Sequence, residues 1–273
     1  MTTALGLETC QTKYGKFIIP KNDIYIGRSL SIYGQYCESE ISLFRKILRT
    51  GDIAVDAGAN IGAFAIPISK MLGETGMLYA FEPQPYLCSI LSANLLANDC
   101  INTRAMSIAL SDETGKITVQ NIDYKLENNF GGISFASENP NLQVDSGHLG
   151  IAKMRLDDVI NIPRLRMIKA DVEGMELALI KGASQLISKY KPYLYLECNN
   201  PEPADALCAY LEQYSYQCYW HISPFFDADN WKNNKEDIFG NVACVNLLCA
   251  PQSTTMNNFI PANGTASHPR YKK

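Results

Sequence analysis

No apolar run in this 273-residue chain approaches the ~20 residues that a membrane-crossing helix needs. Histidine is scarce. The three, His148, His221 and His268, lie too far apart for the ligand spacing of a zinc site, and no metal is expected. Cysteine is not scarce, but it is unpaired in pattern: Cys10, Cys37, Cys88, Cys100, Cys198, Cys208, Cys218, Cys244 and Cys249 contain no C-x-x-C. An odd number, several of them inside apolar runs, argues against a disulfide framework. They read instead as small buried hydrophobes in a reducing, cytoplasmic compartment. A basic excess is also lacking. With 24 Lys+Arg against 28 Asp+Glu the net charge is -4, so no nucleic-acid partner is expected. The stretch Met1–Glu8 has neither a basic nor a long apolar region, so no signal peptide is expected.

What the chain does have is rhythm. A composition of 47% hydrophobic and 19% charged residues suits a globular core. Phe17–Ile19 and Ile24–Ile26 read as short strands separated by Gly and Pro. From Glu38 the residues Ile41, Phe44, Ile47 and Leu48 recur at helix spacing, closed by Gly51. Buried-strand patterns follow at Ile53–Asp56, Met77–Phe81, Arg166–Asp171 and Tyr193–Glu197, with helical patterns between them. Asn102–Leu110 is a less apolar strand candidate, Lys116–Val119 an added strand, and Gln217–Ile222 and Asn241–Cys249 the last two. Pro67 predicts a kink or early break in the helix after the first buried strand. Residues 121–150, rich in Asn and Gly, read as a long loop placed to act as a lid. The alternation predicts an α/β sheet with helices on both faces. The expected organisation is an N-terminal extension over 1–50, a main domain over 51–251 and a flexible polar tail over 252–273.

Ligands in such sheets bind beyond the carboxyl ends of the strands. Acids stand at four successive predicted strand ends: Asp56, Glu82, Asp171 and Glu197. The first turn reads Asp56-x-Gly58-x-Asn60-x-Gly62, not the Gly-x-Gly-x-x-Gly of a pyrophosphate site. A carboxylate at that strand end suits a cationic ligand better than a phosphate. Glu82 is placed to accept hydrogen bonds from two ribose hydroxyls. A cationic nucleoside with a free ribose fits S-adenosylmethionine.

The arrangement resembles the class I methyltransferase fold, and within it the FkbM family of S-adenosylmethionine-dependent methyltransferases. The resemblance rests on Val55–Gly62, Phe81-Glu82-Pro83, Ile108–Gly115, Leu156-Asp157-Asp158 and Ile168-Lys169-Ala170-Asp171-Val172-Glu173-Gly174-Met175-Glu176, with Tyr33–Tyr36, Glu38 and Glu40 upstream. It implies a Rossmann-like seven-stranded sheet whose last strand is antiparallel, preceded by a short strand/helix extension. It also implies that Asp56, Gly58, Ala59, Asn60 and Gly62 shape the methionine and ribose end of the cofactor site. Glu82 would hold the ribose hydroxyls, Pro83 would lie beside adenine, and Ser107 and Ala109 would line the adenine pocket. Tyr36 and Glu40 would join from the upstream segment. Asp171 would face the transferred methyl.

The reaction expected is methyl transfer to a hydroxyl of a sugar, glycan or other small molecule, for which a base must lie within hydrogen-bond reach. Asp171 and Glu173 are the candidates; with Glu176 they have an alternative role as ligands of a divalent metal, and Glu173 and Glu176 also fit a helix-capping role. His221, beside Trp220 and the Phe225-Phe226-Asp227 stretch, is a further candidate base. Two other readings stay open at this point: a nicotinamide-dependent oxidoreductase, disfavoured by the missing third glycine, and a non-catalytic cofactor-binding module.

Overall fold

The computed structural model describes residues 6–132, 144–254 and 256–270. In chain order the strands are β1 (Leu7–Thr12), β2 (Gly15–Pro20), β3 (Ile53–Ala57), β4 (Met77–Phe81), β5 (Thr103–Met106), β6 (Ala109–Leu110), β7 (Gly115–Ile122), β8 (Val144–Met154), β9 (Met167–Ala170), β10 (Tyr193–Glu197), β11 (Tyr216–Pro224), β12 (Ala243–Pro251) and β13 (Ile260–Pro261). The helices are α1 (Ile26–Tyr33), α2 (Glu38–Ile47), α3 (Ala65–Leu72), α4 (Pro85–Ala97), α5 (Leu156–Val159), α6 (Glu176–Gly182), α7 (Ser184–Tyr190) and α8 (Pro203–Glu212). Among the described residues no helix is long and apolar enough to cross a membrane.

The main sheet runs β13-β11-β12-β10-β9-β3-β4-β5. β3, β4, β5, β9 and β10 are parallel neighbours, and β12 is antiparallel to both β10 and β11. The seven strands from β5 to β11, with β12 reversed, are the fold expected; β13 adds an eighth at the edge. Crossover helices cover both faces, which is why β3 and β9 are buried along their whole length and carry apolar residues on both sides, Asp56 and Lys169 apart. One core lies under α2, α3 and α4, built from residues such as Phe44, Phe64, Ile66 and Leu91. The other lies under α6, α7 and α8, around Leu179, Ile187 and Leu207.

The N-terminal hairpin β1–β2 is tied to this body by Asn94 of α4. Its fully buried amide accepts from the Ile18 N–H at 2.7 Å and donates to the Ile18 carbonyl at 2.9 Å. A separate three-stranded sheet, β6-β8-β7, sits beside the β5 edge's chain exit.

Several expectations are corrected. Ile24–Ile26 is not a strand: the Asp23 carboxylate accepts N–H bonds from Tyr25 and Gly27, turning the chain into α1. Pro67 makes no kink, because α3 starts at Ala65 and the proline falls in the first turn, where its missing N–H has no partner to lose. The Asn102–Leu110 stretch splits into β5 and β6, which belong to different sheets. The 121–150 loop is shorter than composition implied, since β7 runs to Ile122 and β8 starts at Val144; residues 133–143 lie outside those described. The tail expected to be flexible instead returns to the fold. Ile260 and Pro261 pair with β11, and the 3% exposed His268 ring reaches the Cys198 carbonyl at 2.7 Å while its face meets the edge of Trp220.

Candidate active site

The parallel strands β3, β4, β9 and β10 end on one side of the sheet, and a cavity of about 280 Å³ opens there. Its first wall is the turn after β3. Gly58 and Asn60 both take positive φ, +76° and +50°. At Gly58 the requirement is absolute in steric terms, since a Cβ would lie 1.7 Å from the Asp171 carbonyl oxygen. The turn therefore lies directly against the end of β9, and the two strand ends share one space.

Glu82 closes the β4 end. Its carboxylate is 4% exposed and accepts the Asn60 N–H on Oε2 and the Gln84 N–H on Oε1, each at 2.9 Å. Burial pushes this carboxyl up to about 7 against the pull of those two N–H bonds. Gln84 is itself fixed, donating to the Phe130 carbonyl and accepting from the Tyr124 hydroxyl. Pro83, Ile108, Ala109 and Leu110 continue this wall, and Asn129, Gly131 and Gly132 lie across from it.

Further acids line the same cavity. Asp171, Glu173 and Glu197 bring carboxylate oxygens within 4.8 Å of one another, a spacing that would also suit a divalent ion. Burial, then the charges of Asp171 and Glu176, push Glu173 up to about 8. Burial, then Asp171, Glu173 and Glu176, push Glu197 well above the usual carboxylate range. Crowded, half-buried acids of this kind hold a proton at neutral pH more readily than a free carboxylate does. Tyr36 and Phe225, in edge-to-face contact with centroids 5.2 Å apart, line the side nearest these acids.

Below Asp171 lies a buried ammonium. Lys169 Nζ is 3.2 Å from Asp56 Oδ1 and 3.7 Å from Asp171 Oδ2, and 4.8 Å from the centre of the Phe64 ring. Lys169 and Asp56 are 1% and 0% exposed at the side chain. Burial pulls the lysine down, but Asp56, Asp171 and Glu40 outweigh it and hold the ammonium charged.

The cavity thus brings together Tyr36, Gly58, Asn60, Glu82, Pro83, Ala109, Asp171 and Glu173 of the residues expected from sequence. Others stand elsewhere. Asp56 does not line the cavity; its carboxylate is buried beside Lys169. Glu40 is buried behind the cavity wall, taking the Asn246 amide at 3.3 Å, and burial pushes it up to about 8. Ala59 and Gly62 shape the turn from behind, through the Ala59 N–H to the Phe81 carbonyl and the Gly62 N–H to the Ala59 carbonyl. Ser107 is exposed and turned to the Pro83 carbonyl. Glu176 opens α6 and receives the Val172 and Gly174 N–H groups, which ties down the turn between β9 and the helix. His221 is also outside the cavity: its Nδ1 meets the Tyr195 hydroxyl at 2.7 Å, and burial lowers its affinity for a proton.

Sequence reasoning missed Tyr25, Asn199, Ala243, Cys244 and Arg270, all of which line the cavity. Arg270 is held there by the Asn199 and Ala243 carbonyls. No local pattern marks these residues. Asn129 and Gly131 did carry a signal, the Asn/Gly-rich loop.

Residues 56–218 match the family model of the methyltransferase FkbM domain. Methyltransferase sdnD of Sordaria araneosa is 28% identical over 167 residues, covering 50% of this chain and 62% of that protein. Methyltransferase 1 of Beauveria bassiana (strain ARSEF 2860) is 25% identical over 142 residues, covering 47% of this chain and 57% of that protein. The chain thus spans about three fifths of the length of the curated relatives it matches. The crystal structure of methyltransferase FkbM from Methylobacillus flagellatus KT superposes with a TM-score of 0.45 at 18% identity, over 77% of this chain and 50% of that one. With its family model spanning well over half of its residues, this chain belongs to the FkbM methyltransferase family.

Proposed function

We propose that the chain is an S-adenosylmethionine-dependent methyltransferase that acts on a hydroxyl of a small-molecule or glycan acceptor. The observation that carries this reading is the acidic lining of one cavity. A backbone-fixed carboxylate, Glu82, and three crowded acids, Asp171, Glu173 and Glu197, line the same space. Family membership replaces the oxidoreductase alternative.

The residues present fit the cofactor. Glu82 has two of its oxygen lone pairs committed to Asn60 and Gln84 and others free to accept ribose hydroxyls. The glycine at 58 lets the turn pack against the Asp171 backbone, where no Cβ fits, and so fixes the Asn60 N–H on Glu82 at the cavity edge. When bound, S-adenosylmethionine supplies a methyl already activated by its sulfonium, so alignment is the main task left to the protein. Asp171 would accept the proton that the acceptor hydroxyl loses when its oxygen takes the methyl, the sulfonium sulfur keeping the electron pair of the broken carbon–sulfur bond and leaving as the neutral thioether. Glu173 and Glu197, whose hold on a proton is strengthened by burial and then by crowding, donate hydrogen bonds to the acceptor's other oxygens. Tyr36 and Phe225 exclude water from the same space. The net charge of -4 and the acidic mouth disfavour an RNA acceptor.

Calorimetry with S-adenosylmethionine and its demethylated product tests the cofactor. Radiolabelled methyl transfer to a panel of sugars, polyols, phenols and hydroxy acids tests the acceptor class. Asp171→Ala should retain the cofactor and lose transfer. Unchanged turnover in that variant would overturn the assignment, and incorporation into amines or RNA alone would overturn the hydroxyl acceptor.

A further inference from the structure

Residues 169 and 171 lie two apart at the end of β9, so their side chains leave the same face of the sheet. Across the parallel ladder Lys169 stands in register with Asp56 of β3 on one side and Tyr195 of β10 on the other. Glu40 of α2, also buried, lies near enough for its charge to act on the Lys169 ammonium. The result is a vertical arrangement. The Lys169 ammonium is sealed beneath the cavity floor, and Asp171, 34% exposed at the side chain, stands over it with Oδ2 at 3.7 Å. Phe64, under the ammonium at 4.8 Å, prevents it from dropping away. Lys169 touches no part of the cavity itself.

The charge arithmetic shows why this matters. Asp56 balances the lysine's charge, but a buried ammonium carries three N–H donors and the pair leaves them short of acceptors, so a second carboxylate is favoured beside it. Asp171 is drawn to the same ammonium from above, while Glu197, in side-chain hydrogen-bond contact with it, and Glu173 crowd it from the cavity side. Lys169 is the only cation within ion-pair reach of Asp171 among the described residues, so the charge that holds this carboxylate at the sheet comes from residue 169.

We infer that Lys169 is a positioning residue for methyl transfer, holding the Asp171 carboxylate over the β9 strand end where it meets the acceptor hydroxyl. The inference rests on the reading of Asp171 given above. Asp56, Asp171 and Glu40 together keep the buried lysine charged, so the ammonium persists when Asp56 alone is neutralised, and the lysine aims Asp171.

A cycle of variants tests this. Lys169→Met alone strands Asp56 as an unpaired buried acid, so the reference is Asp56→Asn, whose own activity is measured first. Into it are placed Lys169→Met, Asp171→Asn, and both. Removing the lysine should lower kcat roughly 10- to 100-fold with little change in cofactor affinity, as a misplaced group does. Removing Asp171 should do at least as much. The combination should be no worse than Asp171→Asn alone, because the lysine acts through the aspartate. Crystal structures of the reference and its Lys169→Met derivative supply a readout that needs no acceptor: the Asp171 carboxylate should leave its place over residue 169. Additive losses in the cycle, or an unmoved Asp171 carboxylate, would overturn the inference. Full turnover in Asp56→Asn/Asp171→Asn would instead overturn the assignment of Asp171 and leave the positional readout to decide the role of Lys169.

Discussion

Gly58 lies so close to Asp171 that a Cβ on the glycine would fall 1.7 Å from the aspartate's carbonyl oxygen. The turn proposed to cradle the cofactor and the acid proposed to face the methyl are therefore one packed unit, joined through backbone. Disturbing either moves both.

Gly58→Ala should be severe for two independent reasons. It imposes a φ of +76° on an L residue and drives a methyl into immovable backbone. Strain of this type costs about 1–3 kcal/mol before the clash is counted. Urea unfolding should show a loss at or above that range, and calorimetry should show lost binding of S-adenosylmethionine. Near-native values in both would mean that the turn adjusts freely.

The buried pair gives a second expectation. Lys169→Met should destabilise by about 3–5 kcal/mol, because it leaves Asp56 uncompensated. Adding Asp56→Asn should restore most of that loss, since a neutral amide is far cheaper to bury than a carboxylate. The comparison is made by denaturant unfolding of the two variants; equal stabilities would show that Asp56 is not held as an ion.

Crowding at Glu173 gives a pH dependence with a definite sign. Its carboxyl is pushed from the usual ~4.3 of an unfolded chain up to about 8 in the fold. Below the lower value both states are protonated. Between the two, the folded state binds more protons than the unfolded one, so stability falls as pH rises and levels off above the upper value. Glu173→Gln removes this contribution. The variant should gain stability relative to the parent as pH is raised from about 5 to 9, followed by thermal unfolding at each pH. A difference that stays flat, or shrinks, contradicts the placement of Glu173 among Asp171, Glu176 and Glu197.

His221 provides the contrast. It lies outside the cavity and is bonded to Tyr195. His221→Ala should lower stability by about 1 kcal/mol and leave the pH–rate profile in place. A displaced profile would return the histidine to the chemistry.

The acids at 56, 82, 171 and 197 were legible because each follows an apolar run of strand length, and the sheet order follows from the alternation of such runs with helical spacing. The same logic failed where local pattern was ambiguous. Ile24–Ile26 is apolar enough for a strand, but Asp23 captures the Tyr25 and Gly27 N–H groups and starts a helix. The polar composition of the C-terminal segment hid the buried His268, whose anchoring depends on a carbonyl 70 residues away.

By itself, then, the sequence determined the parallel sheet, the glycine turn and the acids at its strand ends, since these depend on side-chain periodicity and on backbone angles that few residues tolerate. Tertiary structure alone decided which acids face the cavity. Asp56 looks like Asp171 in one dimension. In the fold it lies opposite Lys169 across the β3–β9 ladder and is neutralised, whereas Asp171, beyond the end of the ladder, keeps part of its surface open. Register between strands more than a hundred residues apart sets that difference, and no local pattern encodes it.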